Sequence, residues 1–294
     1  MIKFACNAMV RDPDQEGAWI DAETLIDVVY ELRFDMIDFQ LDRGMWSHDM
    51  RSSDFDYLAG IKARCHDRGL PIGFLGISDG LVEQGKDEAG ETIGVALTRE
   101  ERTARIAELM EAVDAAVVLG APLIRLFAGD IPAATPDRES VWTGMVGCFQ
   151  EVCDYAAGKA VRIGLHNHAP AVAPTGATIL RLLREIDRPN CTHILDSGQW
   201  HGSIGSGVKG ESDPGIDIYR FMEQTAPHAS YVRAKIYKID SGREEWRDYD
   251  RIAAILQAVD YNGPVSVVYE DAGNNCDYRE AWRLAVAHLR QVFG

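Results

Sequence analysis

Short apolar runs alternate with amphipathic segments along the whole chain. Eight of these runs have the length and composition of buried strands, and each is followed by a segment with the 3.6-residue periodicity of a helix. The predicted strands are Ile2–Asn7, Met36–Gln40, Pro71–Ile77, Pro122–Phe127, Val161–His166, Thr192–Asp196, Tyr231–Ile236 and Pro264–Tyr269. The predicted helices are Ala22–Arg33, Phe55–Arg68, Arg99–Leu119, Val141–Ala157, Gly176–Ile186, Ile216–Thr225, Tyr249–Val259 and Tyr278–Phe293. This alternation predicts a parallel sheet covered by helices.

The number of strand–helix units favours a closed (β/α)8 TIM barrel over an open doubly wound sheet. An open sheet usually has fewer units and often a Gly-rich first turn, and no GxGxxG follows Ile2–Asn7. The 294 residues suit one barrel and contain no linker or low-complexity tract, so we expect a single domain over residues 1–294. The Gly- and acid-rich stretch Ser78–Thr98 is predicted to be a long loop at the functional end of the barrel.

The net charge of the chain limits the classes of molecule that we expect it to bind. The chain has 30 Lys and Arg against 46 Asp and Glu, a formal charge of −16. This field repels phosphate backbones and anionic lipid, so nucleic acid and membranes are poor partners and a small sugar is the simpler expectation. Six cysteines without a CxxC pair, no signal-peptide pattern and no apolar stretch of transmembrane length predict a cytoplasmic protein with reduced thiols. The oligomeric state, including a homo-oligomer, stays open.

Chargeable side chains follow four successive strands at the point where each strand ends. Any one of them alone could cap a helix or be structural, but the carboxyl ends of barrel strands meet at one face and carry the functional residues of this fold. Residues two apart on a strand share a face, so both members of a pair at one strand end point the same way. The group comprises His166 and His168 after the fifth strand, Asp196 after the sixth, Arg233 and Lys235 in the seventh, and Glu270 after the eighth.

This combination of imidazole and carboxylates suits a divalent cation such as Mn²⁺, Mg²⁺, Co²⁺ or Zn²⁺. Such an ion can hold two oxygens of a polyol and polarise a neighbouring carbonyl. The C–H bond beside that carbonyl becomes more acidic. Its deprotonation is the step shared by sugar isomerases, ketose epimerases and β-eliminating lyases.

Several short motifs give the chain a family resemblance over essentially its whole length. They are Leu119-Gly120-Ala121-Pro122 before the strand of Arg125, His-Asn-His at 166–168, Asp-Ser-Gly at 196–198, Ala234-Lys235, and Tyr261-Asn262-Gly263 before Val268-Tyr269-Glu270. With these motifs the chain resembles the xylose isomerase-like TIM barrels of the sugar phosphate isomerase/epimerase type. The resemblance implies a metal held by a Glu, an Asp, a His and a Glu from the fifth to eighth strands, with the two glutamates as acid–base pair.

This sequence departs from that pattern at three positions. Asp196 and Glu270 match in type, but His166 stands where the first Glu is expected and Arg233 stands near the expected His. Gln199 replaces a His that commonly follows the Asp by three residues. Arginine neither ligates a metal nor loses its proton at ordinary pH. Either the metal is retained by His166, Asp196 and Glu270, which we favour, or it is lost and Arg233 supplies positive charge together with Lys235.

The remaining roles follow from these positions. We expect Glu270 or His168 to move the proton and Lys235 to stabilise oxyanion charge or act as a general acid. Arg125 either binds a substrate oxygen or pairs with a barrel carboxylate. The other substrate-binding candidates are Arg233, Gln199 and the loop residues Trp46, Trp200 and His201. We interpret Glu244 and its neighbours as surface and helix-cap residues.

The leading functional hypothesis is a metal-dependent isomerase or epimerase of a sugar or keto-sugar. A lyase that eliminates from a 3-oxo-glycoside or dehydrates an inosose is the alternative, because the unequal His166 and Glu270 positions suit a base and a distinct acid. An aldolase forming a Schiff base on Lys235, and a non-catalytic sugar-binding barrel, are further alternatives.

Overall fold

The computed structural model describes residues 2–7, 19–41, 54–78, 80–168, 175–203, 212–270 and 273–294. Eight parallel strands close into a barrel, as the sequence predicts. These strands are β1 (Phe4–Asn7), β2 (Met36–Gln40), β3 (Ile72–Gly76), β6 (Leu123–Leu126), β7 (Arg162–His166), β8 (Cys191–Asp196), β9 (Ala229–Ile236) and β10 (Val265–Tyr269). Their order around the barrel is β1-β10-β9-β8-β7-β6-β3-β2. The predicted (β/α)8 barrel is therefore confirmed.

Each predicted helix is present in the described part of the chain, with ends that coincide with the prediction or differ from it by at most three residues. The helices are α1 (Ala22–Glu31), α2 (Phe55–Asp67), α3 (Arg99–Leu119), α4 (Arg138–Ala157), α5 (Gly176–Ile186), α6 (Ile218–Thr225), α7 (Tyr249–Gln257) and α8 (Tyr278–Phe293). Thr98 and Glu101 form the capping box that starts α3, and Gly120 ends this helix in the left-handed conformation at φ 86°. No helix within the described ranges is long and apolar enough to cross a membrane.

The stretch Ser78–Thr98 is more ordered than the predicted loop. It contains an antiparallel hairpin of β4 (Glu83–Lys86) and β5 (Thr92–Val95). The side chain of Asp87 accepts hydrogen bonds from the backbone N–H of Ala89 and Glu91 in the turn. The loop prediction was wrong for these residues because both strands are short and largely exposed, so no apolar alternation marks them.

The interior of the barrel has an apolar layer below a polar one. Ala5, Met36, Phe74, Leu123, Ile194 and Tyr231 form a separate buried cluster inside the sheet. Two residues further along five of these strands, towards the carboxyl end, lie Asn7, Asp38, Arg125, Asp196 and Arg233, each 1% exposed or less. Because side chains alternate along a strand, these polar groups share the inner face with the apolar layer. The apolar layer therefore fills the amino end of the barrel, and the buried charged groups lie at the carboxyl end.

Candidate functional site

At the centre of the polar layer, the ends of the adjacent strands β7 and β8 bring together His166 and Asp196. His166 Nε2 lies 3.0 Å from Asp196 Oδ2, and both side chains are fully buried. Arg125 Nη1 lies 3.3 Å from the other ring nitrogen, Nδ1, and arginine is only a donor. Nδ1 therefore accepts from Arg125, and Nε2–H donates to Asp196. His166 acts as a link between a guanidinium and a carboxylate.

His166 is a neutral imidazole in this environment. Burial lowers the pKa of His166 well below its usual value, and the nearby guanidinium groups of Arg233 and Arg125 lower it further. Arg233 Nη1 is 3.3 Å from Nε2 and 3.5 Å from Nδ1 of the same ring. A positive charge on the ring would face both guanidinium groups inside this buried cluster.

Asp196 is held in place by its neighbours through its backbone as well as its carboxylate. Asn167 pairs with both backbone groups of Asp196: its Oδ1 accepts from the N–H at 2.8 Å and its Nδ2 donates to the carbonyl at 2.9 Å. The N–H of Gly198 donates to Asp196 Oδ1 at 2.8 Å. Asp196 Oδ2 faces Arg233 Nη1 at 3.7 Å and Lys235 Nζ at 3.9 Å. The middle residue of the His-Asn-His motif thus positions the aspartate of the next strand.

Lys235 joins this buried centre to Glu270 at the mouth of the barrel. Its ammonium group forms an ion pair with Glu270 Oε1, and the Glu270 side chain is 24% exposed whereas that of Lys235 is 1% exposed. The backbone of Lys235 is fixed by Ser197 Oγ, which accepts from its N–H at 2.9 Å, and by Tyr249 Oη, which donates to its carbonyl at 2.7 Å. The charged pair thus reaches from the interior to solvent.

The Asp-Ser-Gly motif is explained by these contacts. Ser197 binds the backbone of Lys235, and Gly198 leaves room for its side chain. A Cβ atom at position 198 would lie 2.6 Å from Lys235 Cγ and 2.3 Å from Tyr237 Oη. Distances this short force the neighbours to move, so only glycine fits beside the lysine stem.

Arg125 is packed on the opposite side of His166. Its Nη2 donates to Gln40 Oε1, and its guanidinium lies 4.4 Å from the centroid of the Phe127 ring. The Phe127 ring also contacts that of His168, with centroids 4.7 Å apart. Burial, with a smaller contribution from Lys235, lowers the pKa of His168 to about 3. His168 is therefore a neutral side chain beside the charged cluster.

Several buried polar residues of the barrel interior are missing from the predicted site. Asp38 Oδ1 accepts from Tyr231 Oη at 2.7 Å and from the N–H of Phe74 at 3.2 Å, and burial raises the pKa of Asp38 to about 7. The nearby positive charge of Arg233 lowers the pKa of Asp38, against the effect of burial. The alternation of Asp38 and Gln40 with apolar residues in the second strand was the signal that could have found this layer.

The loop candidates lie in different surroundings. Trp200 is fully buried, and its ring packs against His193 and Phe221 of α6, which places it outside the barrel wall. Gln199 is buried and His201 is exposed. Trp46 lies outside the described residues.

Glu244 is not a surface residue, so our interpretation of it was wrong. It is 3% exposed and accepts hydrogen bonds from the backbone N–H of Tyr237, Lys238 and Trp246 at 2.8, 3.1 and 2.9 Å. Burial raises its pKa to about 7. Because Tyr237 directly follows β9, two residues after Lys235, Glu244 fixes the start of the loop at this strand end.

Comparison with known proteins identifies the family. The family model described as xylose isomerase-like TIM barrel matches residues 26–292. The chain belongs to this family. No curated protein sequence matches this xylose isomerase-like barrel.

Solved structures share its fold at low sequence identity. A D-psicose 3-epimerase from Clostridium cellulolyticum H10, solved with D-tagatose, superposes with a TM-score of 0.72 at 15% identity over 99% of both chains. A D-allulose 3-epimerase from Methylomonas sp. gives 0.69 at 19% identity, covering 99% of this chain and 98% of its own. A 3-keto-D-glucoside 4-epimerase from E. coli gives 0.68 at 16% identity, covering 99% and 100%.

The donor set of this xylose isomerase-like barrel does not fit a divalent metal. In the part of the chain that the structure describes, no group of three or more His, Cys, Asp or Glu side chains is arranged to hold an ion. Of the three predicted ligands, His166 and Asp196 contact each other, whereas Glu270 Oε1 forms an ion pair with the ammonium of Lys235. Arg233 faces both His166 and Asp196 from the strand that the resemblance expects to supply a His. Two cations, Arg233 and Lys235, thus lie among the predicted ligands, where a metal ion would have to bind.

Proposed function

We propose that this protein is an isomerase or epimerase of a sugar or keto-sugar, which acts by moving a proton on a carbon beside a carbonyl. The observation that carries the proposal is the contact between Lys235 and Glu270 at the barrel mouth, above the buried Asp196 and Arg233. It combines a carboxylate that can accept a proton with cations that can stabilise a developing oxyanion. The fold relatives described as sugar epimerases support the same class of reaction.

In this mechanism the substrate carbonyl oxygen takes hydrogen bonds from Lys235 Nζ. The Glu270 carboxylate removes the proton from the adjacent carbon, and the electron pair of the broken C–H bond moves onto the carbonyl oxygen. The resulting enolate is stabilised by Lys235 and Arg233, while Glu270 carries the proton. For isomerisation, the proton of the hydroxyl on the deprotonated carbon moves to the enolate oxygen, and Glu270 returns its proton to the former carbonyl carbon. For epimerisation, a proton reaches the original carbon from the opposite face.

Asp196 and His166 serve this step without moving a proton themselves. Asp196 balances the charges of Arg233 and Lys235, at 3.7 and 3.9 Å, and so keeps both cations below the mouth. Neutral His166 donates to Asp196 and accepts from Arg125, which fixes the positions of all three side chains. These residues prepare positive charge at the point where negative charge develops, and such preorganisation is a large contribution to catalysis.

The divalent cation implied by the family resemblance would polarise the same carbonyl. The donor set described above fits such an ion poorly, whereas the ammonium of Lys235 already contacts Glu270 and faces Asp196. We therefore assign the polarising charge to Lys235 and Arg233 in this proposal.

An eliminating lyase is the second candidate. Glu270 is a partly exposed carboxylate, while the other proton carrier that we expected, His168, is a neutral imidazole whose pKa is lowered to about 3. An imidazole with so low a pKa carries no proton at neutral pH, so His168 does not complete a matched pair that protonates a carbon from either face. Elimination needs one base and one separate acid, and Glu270 with Lys235 meets that requirement.

A substrate panel tests the proposal. Ketoses, aldoses, inososes and 3-oxo-glycosides are incubated with the protein, and the products are identified by NMR. Isomer or epimer formation supports the leading function, and an unsaturated product supports the lyase. Glu270→Gln should abolish turnover, whereas Glu245→Gln, an exposed glutamate of the β9–α7 loop, should leave it unchanged. Sugar binding without any product would contradict both.

A further inference from the structure

We infer that this chain carries its own cation at the site: the guanidinium of Arg233 and the ammonium of Lys235 take the place of a divalent metal, and the protein binds its substrate without one. The inference concerns the source of positive charge. It does not depend on which sugar is bound or on which of the two reactions follows.

Lys235 occupies the position between two carboxylates where a metal would lie. An ion held by Asp196 and Glu270 together has to lie between their carboxylates. The ammonium of Lys235 is already there, paired with Glu270 Oε1 and 3.9 Å from Asp196 Oδ2. Ser197 and Tyr249 fix the backbone of Lys235 on both sides. Two carboxylates that would share a metal therefore share an ammonium group.

The contacts of His166 leave neither ring nitrogen as a ligand for a metal. A ligating imidazole must offer a lone pair to the ion, and Nε2 is the ring nitrogen that faces Asp196. The Asp196 carboxylate only accepts and lies 3.0 Å from Nε2, while Arg125 only donates and lies beside Nδ1, so the proton of the neutral ring is assigned to Nε2. Arg233 Nη1, 3.3 Å from Nε2, also occupies space beside this nitrogen. His166 is thus oriented as a donor to Asp196.

The buried charges of the site leave no excess negative charge for a divalent ion. Arg125, Arg233 and Lys235 are each 1% exposed, and the carboxylates that face them are Asp38, Asp196 and Glu270. Because burial raises the pKa of Asp38 to about 7, the negative charge of these carboxylates near neutral pH is no greater than the positive charge of the three cations. A divalent ion would add two uncompensated charges to a buried site, beside guanidinium groups that keep their protons. A neutral keto-sugar adds none, and proton transfer to Glu270 merely moves the negative charge onto the enolate.

Mn²⁺ binding to the chelator-treated full-length protein, measured by titration calorimetry and by metal analysis after dialysis, tests the inference. We expect no stoichiometric binding to the wild type. The double variant Arg233→His, Lys235→Met removes both cations and adds an imidazole, and we expect it to bind Mn²⁺ at least about 100-fold more tightly, since each cation removed at this distance relieves a strong repulsion. The matched control, Arg233→Lys with Lys235→Met, keeps a cation on β9 and should bind no better than the wild type.

Stoichiometric Mn²⁺ binding by the wild type, lost in Asp196→Asn, would overturn the inference. Equal absence of binding in the wild type and in a folded Arg233→His, Lys235→Met variant would show that these two side chains are not what excludes the ion, and would overturn it as well. Circular dichroism verifies that each variant is folded. Because no sugar is present, either result leaves the proposed function to be judged by the substrate panel.

Discussion

Removal of the Asp196 charge should destabilise the protein far more than removal of an exposed ion-pair partner. Asp196 is fully buried and faces Arg233 Nη1 at 3.7 Å and Lys235 Nζ at 3.9 Å. At an effective dielectric constant of about 20, each of these contacts corresponds to an attraction of about 4 kcal/mol. Desolvation offsets part of this, but loss of one partner leaves buried charges uncompensated, which costs about 3–5 kcal/mol. We expect Asp196→Asn to lower the free energy of unfolding by this amount.

The assay is urea unfolding followed by circular dichroism at pH 7.5, at low and high salt. The matched control is Glu151→Gln, which breaks the partly exposed pair with Arg102, with N and O atoms 2.6 Å apart. This variant should lower the free energy of unfolding by about 1 kcal/mol or less. The contribution of the Arg102 pair should decrease as the salt concentration rises. The effect at Asp196 should change little with salt because the pair is shielded from solvent. An Asp196→Asn variant as stable as the wild type would refute the reasoning, since Arg233 and Lys235 would then not depend on Asp196.

Two further predictions concern other buried positions. Burial lowers the pKa of His193 to about 4, against a reference near 6.5, so the stability it contributes is present above pH 6.5 and lost as the pH falls towards 4. The wild type should lose about 2 kcal/mol more than His193→Gln between pH 7 and pH 5 in urea unfolding, and parallel pH profiles would contradict this. Gly198→Ala should displace Lys235 and reduce kcat about 10- to 100-fold in a folded protein. Gly144→Ala, at an exposed helical position with no atom within 4 Å of the added Cβ, should leave kcat unchanged, and equal kcat values for the two variants would remove the packing argument.

The barrel could be predicted from sequence because its signal repeats. Each strand is a short apolar run and each helix has a clear period, so small errors at the ends leave the unit count unchanged. The hairpin of β4 and β5 was missed because its strands are exposed and short, with no repeated apolar pattern. The burial of Glu244 was missed for a related reason: its partners are backbone N–H groups, which a side-chain pattern does not reveal.

The site was predicted as a set of residues but not as a set of contacts. The chemistry of strand ends indicated His166, Asp196, Lys235 and Glu270, and the structure describes them as neighbours. The contacts between these side chains depend on their rotamers and on pairing across strands. Residue spacing along the chain predicts neither of these. The pairing of Lys235 with Glu270 therefore emerges only from the three-dimensional arrangement, and our proposal of a built-in cation rests on it.

Deuterium incorporation in D₂O is the most direct test of proton transfer at this site. The chelator-treated protein is incubated with the keto-sugar that gives product in the substrate panel, and deuterium is followed by NMR. We predict stereospecific exchange at one carbon beside the carbonyl, at an unchanged rate in EDTA and abolished by Glu270→Gln. Turnover without any exchange at that carbon, or exchange that needs added Mn²⁺, would contradict the account.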